Sequence, residues 1–495
     1  MPAPPVASAA RAVALLALGL ALAVGAQAVR ATTISIDNVN AEGVGFNDAT
    51  PATPVAGNPG TTLGEQRLNV FKRAAAQWAE RLDSPVEIRV RASMTALACD
   101  TNSATLGSAG PVAAASFNDL ATLPAGARLH RAYSIAEANA FTGSDGATDS
   151  DDIEANFNLS LDQGAGACLG GTTWWYGLDP DVPVPAGTIA LLPVVFHELA
   201  HGLGFVSGTT ADGRYLTNEP PIWSDYLYDT AIGKRWIDMT AAERAASSKD
   251  DPHLVWTGPR TNRRARVVLK PGHALIIDAP AGLAGAHEVG LADFGPDVPA
   301  SGIAGTLALV DDGVDAGSDG CSALPPGIVA GRIALIDRGT CDFTVKARNA
   351  QAAGAVAVLI ADDVVENLRL PLGMHGDATD ITIPIYSITQ ALGQAIKAQL
   401  GAGVQATLGH AELGANEGCV RMFAPDPLLP GSSVSHFHAD ASPDLLMEPA
   451  LNEAIFDHVD LTLPLFADIG WRTHAVEDTI YDDGFEPDAC AEAQP

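Results

Sequence analysis

The segment LLPVVFHELAHGLGF, residues 191–205, constrains this chain more than any other. Its two histidines, His197 and His201, stand four residues apart, and a helix stacks side chains at that spacing on one face. Pro193 is tolerated in the first turn of such a helix, while Gly202 and Gly204 supply stop signals at its end. Both imidazoles then reach a single ion, with the Glu198 carboxyl beside them. Catalytic zinc takes three protein ligands and keeps a position open for water, whose pKa it lowers to about 7. A carboxylate next to the first ligand is placed to take the proton from that water and pass it on, so Glu198 is the candidate general base. With 12 histidines in 495 residues, the HExxH pattern arises by coincidence roughly 0.01 times per chain of this composition. The plain alternative is a pair of histidines satisfied inside an ordinary buried helix, which the apolar flanks would also suit.

Length and charge narrow the setting of that helix. At 495 residues two or three domains are expected. The formal charge of −31 repels phosphate backbones, and no basic run offsets it, so nucleic acid is excluded as a partner. Acidity of this kind keeps an exported protein dispersed. Residues 1–28 carry Arg11, an apolar run from Val13 to Ala26 and the small-x-small site Ala26-Gln27-Ala28, the layout of a signal peptide. The run is short of the ~20 residues a membrane span needs, and no later stretch supplies them. A secreted protein without a membrane span in its mature chain is the expectation. The six cysteines include no CxxC pair, so disulfides are the reading. Grouping by domain pairs Cys99 with Cys168, Cys321 with Cys341, and Cys419 with Cys490.

Residues 32–271 read as the first part of the site-bearing domain. A helix is expected in TLGEQRLNVFKRAAAQWAERL and a strand in VEIRVRASM. Trp174, Trp175 and Tyr176 are assigned to its core. From residue 272 to 409 the texture changes: GTLALVDDG, GRIALIDRG and AVAVLIADD are short apolar strands, and FTVKARNAQAAGA between the last two is a helix. In order and spacing, GRIALIDRGTCDFTVKARNAQAAGAVAVLIADD with IPIYSITQALGQAIKAQL resembles a protease-associated (PA) domain, an α/β attachment of peptidases and receptors. The resemblance implies contact with substrate or a partner and no catalysis. Residues 410–475 complete the site-bearing domain, and 476–495 form an acidic tail. Its carboxylates leave calcium open as a ligand, but they lack the ordered spacing of an EF-hand loop.

The third ligand is the open question near the helix. Ser207 occupies the position where an HExxHxxGxxH pattern would place a third histidine. Glu219 and Asp225 are acidic options, with Pro220 and Pro221 set against a helix that would aim Glu219. Far downstream, SSVSHFHADASPDLLMEP and FADIGW, taken with HELAHGLGFVS, resemble the leishmanolysin branch of metzincins, in which an insertion separates the helix from the third histidine. That resemblance implies His436 as third zinc ligand and Met447, eleven positions later, as the Met-turn beneath the metal. His438, two residues on from His436, would point the same way in an extended strand and stays an alternative. His458 and His474 are assigned to the surface.

The expected fold is α+β: a metzincin-like zinc peptidase domain, with a mixed sheet, an active-site helix and a C-terminal Met-turn subdomain, interrupted by an α/β PA-like domain. The expected function is a secreted zinc-dependent endopeptidase with one catalytic Zn2+ and protein or peptide substrates. The rivals are an inert binding or adhesion protein of the same fold, a zinc hydrolase acting on another bond, and a gluzincin- or aspzincin-type peptidase using Glu219 or Asp225.

Overall fold

The computed structural model describes residues 32–101, 103–163, 168–314, 317–363, 371–450 and 455–474. The signal-peptide and acidic-tail assignments, and Cys490, lie outside them.

The architecture is α+β, built around separate cores. The first holds every described tryptophan and no residue between 272 and 411. Thr62 and Glu65 close a capping box at the start of helix Leu63–Ala79, and the apolar stripe of that helix, Val70, Phe71, Ala74 and Trp78, is buried. It lies on a four-stranded sheet ordered Ile34–Asn38, Ile88–Thr95, Ile153–Asn158, Gly107–Pro111. The first three strands run parallel, and Gly107–Pro111 joins antiparallel at the edge. Helix Leu191–Leu203 packs against both this sheet and the first helix. It is buried on nearly every face, as its all-round apolar sequence requires. The Trp78 indole donates to the Phe196 carbonyl at 2.9 Å, which fixes one helix against the other.

Gly202 does not end this helix, contrary to its reading as a stop signal. It lies inside, where a Cβ would come within 2.3 Å of Ile153 Cγ2, so the missing side chain sets how closely helix and sheet approach. Gly204, at φ 121°, is the terminator. The freed Leu203 carbonyl accepts from Trp471 Nε1 at 2.9 Å and from Ser134 Oγ at 3.2 Å. Trp174, Trp175 and Tyr176 are buried in the first core, as their sequence suggested.

Residues 272–411 build an eight-stranded sheet of their own, with helices Phe343–Ala352 and Gln390–Gln399 and two apolar clusters distinct from the first core. Strands Ile303–Leu309, Ile333–Asp337, Ala357–Ala361 and Ile385–Ile388 run parallel in sequence order. Helix Phe343–Ala352 crosses between the second and third of these, the βαβ pattern expected from the sequence. The disulfides Cys99–Cys168 and Cys321–Cys341 are both formed, and Cys419 is disulfide-bonded. No helix among the described residues is long and apolar enough to cross a membrane.

Candidate metal centre

Three histidines converge on one point. His197 Nε2 lies 3.1 Å from His201 Nε2 and 3.2 Å from His436 Nε2, and the latter two are 3.1 Å apart. Among the described residues this is the only group of three or more possible ligands with donor atoms within 4.8 Å of one another. His197 and His201 come from adjacent turns of helix Leu191–Leu203, and His436 is delivered by the turn that follows Val434.

Backbone carbonyls aim all three rings. His197 Nδ1 donates to Leu446 O at 2.6 Å, His201 Nδ1 to Phe205 O at 2.7 Å, and His436 Nδ1 to Ser432 O at 2.7 Å. With each Nδ1 carrying its proton, all three Nε2 lone pairs face inward. Burial holds the imidazoles neutral: His197 is pushed down to about 3 by burial and its histidine neighbour, His201 to about 4 by burial, and His436 well below its ordinary value. Three lone pairs at this separation repel unless a cation lies between them. Tetrahedral zinc with Zn–N of ~2.0–2.1 Å sets its ligand nitrogens about 3.3 Å apart, close to the spacing found. The donor set therefore fits zinc.

Glu198 is partly buried next to the triad. Its Oε2 accepts from Ala109 N on the edge strand at 2.9 Å. Burial raises its carboxyl to about 7, against the Ala109 hydrogen bond, which lowers it. Gly107 leaves the room this contact needs, since a Cβ there would meet Phe157 at 2.7 Å and Glu198 Cγ at 3.3 Å.

Met447 is fully buried, and its carbonyl accepts from Phe437 N at 2.8 Å, so the turn 445–448 is joined directly to the segment that carries His436. Leu446 N in turn donates to the Asp460 carboxylate, which steadies the carbonyl that aims His197. Ser207 N donates to Ser435 Oγ at 3.0 Å, so the residue standing in for a third histidine instead anchors the loop that supplies one.

His438 is not brought to the triad. Residues 436–438 pair with 421–423 around the bridge of Phe437 to Met422, and the His438 ring is held by buried charge away from the triad. Its ring lies instead among Arg421 (3.0 Å), Asp251 (3.1 Å) and Asp440 (3.3 Å). Burial lowers its pKa, but the charges of Asp440 and Asp251 outweigh that and raise it to about 9, leaving an imidazolium unsuited to binding a cation. Glu219 faces His130 at 3.5 Å, and Asp225 is paired with Arg128 (2.8 Å) and Arg131 (2.7 Å), so neither joins the triad. His458 is exposed, as expected, and His474 is partly so. The three carbonyls and the Ala109 amide escaped the sequence reading because backbone atoms leave no residue signature.

The PA domain family model matches residues 297–396. A probable lipoprotein aminopeptidase of Mycobacterium tuberculosis is 36% identical over 116 residues, 22% of this chain and 21% of that protein. Vacuolar-sorting receptor 1 of Pisum sativum is 32% identical over 147 residues, 28% of this chain and 23% of the receptor. The chain thus spans less than a quarter of these relatives. Among solved structures, a zinc aminopeptidase from Bacillus subtilis overlays on 30% of this chain and 35% of its own, with TM-score 0.23 and 21% identity. The likeness at that level is too low to carry an argument about the site. The chain contains a PA domain within residues 297–396, and the three converging histidines lie outside it.

Proposed function

We propose that this chain is a secreted zinc-dependent endopeptidase of metzincin type, its ion held by His197, His201 and His436 above the Met447 turn. The observation that carries the reading is the convergence of three neutral imidazoles, each with Nδ1 fixed to a carbonyl and Nε2 turned inward. When bound, zinc would polarise the peptide carbonyl and make water nucleophilic near neutral pH. Glu198 receives the proton of that water at Oε1, because Oε2 is committed to the Ala109 amide. It then gives the proton to the departing amine, and the raised affinity of its carboxyl suits both halves of the exchange. The edge strand that holds Glu198 also borders the site, which places an extended chain within reach of the same carboxyl. The signal-peptide layout of the sequence at 1–28 supports export.

An aminopeptidase and a sorting receptor both stand among the similar proteins, so the reaction class rests on the site itself. The test is digestion of casein and of a peptide blocked at its N-terminus, with and without a chelator, by the parent and by Glu198→Gln. Cleavage of the blocked peptide should require metal, and the variant should retain zinc while losing at least ~100-fold in turnover. Undiminished turnover in Glu198→Gln would remove it from the reaction. A parent that cleaves only free N-termini would exclude the endopeptidase reading.

A further inference from the structure

Away from the triad, the most chemically specific group of side chains lies on the inserted domain. His273, in strand Gly272–Ala279, is directly opposite His410, in strand Gln405–Ala411, so the two share one face of the sheet. Their ring centroids are 4.6 Å apart. Two positions inward on each strand the same face carries Leu275 and Leu408, both fully buried and themselves paired. A second apolar pair would continue that core, yet the sequence places two imidazoles at its mouth.

The surroundings prepare one of those rings for more than capping. Asp297 Oδ1 accepts from His273 Nε2 at 2.8 Å, and a carboxylate holding the Nε2 proton leaves the lone pair on Nδ1. Outer carboxylates fix metal-binding imidazoles in this way. The Asp297 side chain is otherwise 75% exposed, so it does not serve the core. At 5.7 Å from His273 between ring centroids is Tyr386. Its hydroxyl is buried without a hydrogen-bond partner, an unusual expense for a polar group unless something small binds beside it.

We propose that His273 and His410 chelate a divalent transition metal ion on the insert, with Asp297 orienting His273 beside the unpartnered Tyr386 hydroxyl. Two imidazoles completed by water suit zinc, nickel or copper, copper binding most tightly. With two protein ligands instead of three, this site releases its ion before the histidine triad does.

The test is zinc content of the full chain by elemental analysis after equilibration with excess zinc and removal of unbound metal. The parent should hold two equivalents. His273→Ala and His410→Ala should each hold one and keep full activity toward casein, while His436→Ala should lose the other equivalent. Asp297→Asn should weaken the second site by about 10–100-fold. His273→Gln and His410→Gln, melted in the presence of a chelator, separate metal loss from a disturbed sheet: both should melt with the parent and still bind only one equivalent. The proposal is overturned if the parent holds no second equivalent, or if that equivalent persists in the His273 and His410 variants. Failure of the catalytic reading is distinguishable, because it removes the equivalent that tracks His436.

Discussion

Glu448, the residue after Met447, converts burial into a measurable slope. Its side chain is 1% exposed; Oε1 accepts from Leu445 N at 2.8 Å, and Oε2 has no partner. Burial, reinforced by the charges of Asp444, Asp460 and Asp440, pushes its carboxyl up from 4.5 to about 10. Between those values the folded chain keeps a proton that the unfolded chain has released. Stability therefore falls as pH rises through this window, and below 4.5 the group makes no difference. Each unit costs about 1.4 kcal/mol, so the penalty at pH 7 is about 3 kcal/mol. Glu448→Gln keeps the shape and the Oε1 acceptor but cannot ionise. It should exceed the parent in stability by about 3 kcal/mol at pH 7, by roughly 1.4 more at pH 8, and by nothing at pH 4. Urea unfolding followed by tryptophan fluorescence is the assay, because all 7 tryptophans lie outside residues 272–411 and report only the part that contains Glu448. Parallel pH dependences for parent and variant between pH 6 and 8 would refute a protonated buried carboxyl.

Three further outcomes follow from packing and ligation. His436→Ala should abolish zinc binding at the triad, whereas His438→Ala should leave zinc in place and cost about 3–5 kcal/mol, because Asp251 and Asp440 lose a buried counter-charge; zinc analysis and urea melts separate the two. Gly202→Ala should destabilise by about 1–3 kcal/mol through its collision with Ile153, and a variant as stable as the parent in the same melts would show that the helix has room to move. Replacing residues 273–410 by a short Gly-Ser linker removes the Glu288 contact to Asp440 but should preserve one triad-bound zinc, since the first apolar core contains no residue of the insert; an unfolded product by circular dichroism would contradict the independence of that core.

What was legible in the sequence was whatever depends on periodicity and local chemistry. The i,i+4 histidines, the apolar flanks of their helix and the alternating strand at 86–94 are rules of short range, and each element formed where it was read, within two residues at its ends. His436 was reached only through a resemblance, because the position of a ring 235 residues from its partner is decided by tertiary contacts that no local pattern encodes. The His438 alternative shows the limit from the other side. Alternation by two says from which side of the chain a ring leaves and not which partners it meets, and Arg421, Asp251 and Asp440 hold the His438 ring. Gly202 carried an ambiguous signal too: a glycine near a helix end marks a stop or a close approach, and only the position of Ile153 distinguishes the two.

A ligand set divided by so long an insert works because the chain is closed at its neck and not at the ion. Gly272 and Ala411, where the insert's sheet begins and ends, are register partners, so the two crossings into the domain lie side by side. On the host side, Val255 pairs with Arg421 and Trp256 with Val420, strands from before and after the insert. Asn262 bridges them again, donating to Trp256 O at 2.8 Å and accepting from Val420 N at 2.9 Å. Phe423, two residues after Arg421, then donates its N–H to His436 O at 3.0 Å, which ties the third histidine to this host pairing. Loop-closure entropy grows by only ~0.6 kcal/mol per doubling of length, so a domain in place of a short loop adds about 2 kcal/mol to closing the site. The backbone pairing around Cys419–Arg421 is sufficient to offset a term of that size, and the insert adds a tie of its own, since Glu288 hydrogen-bonds the Asp440 carboxyl beside Arg421.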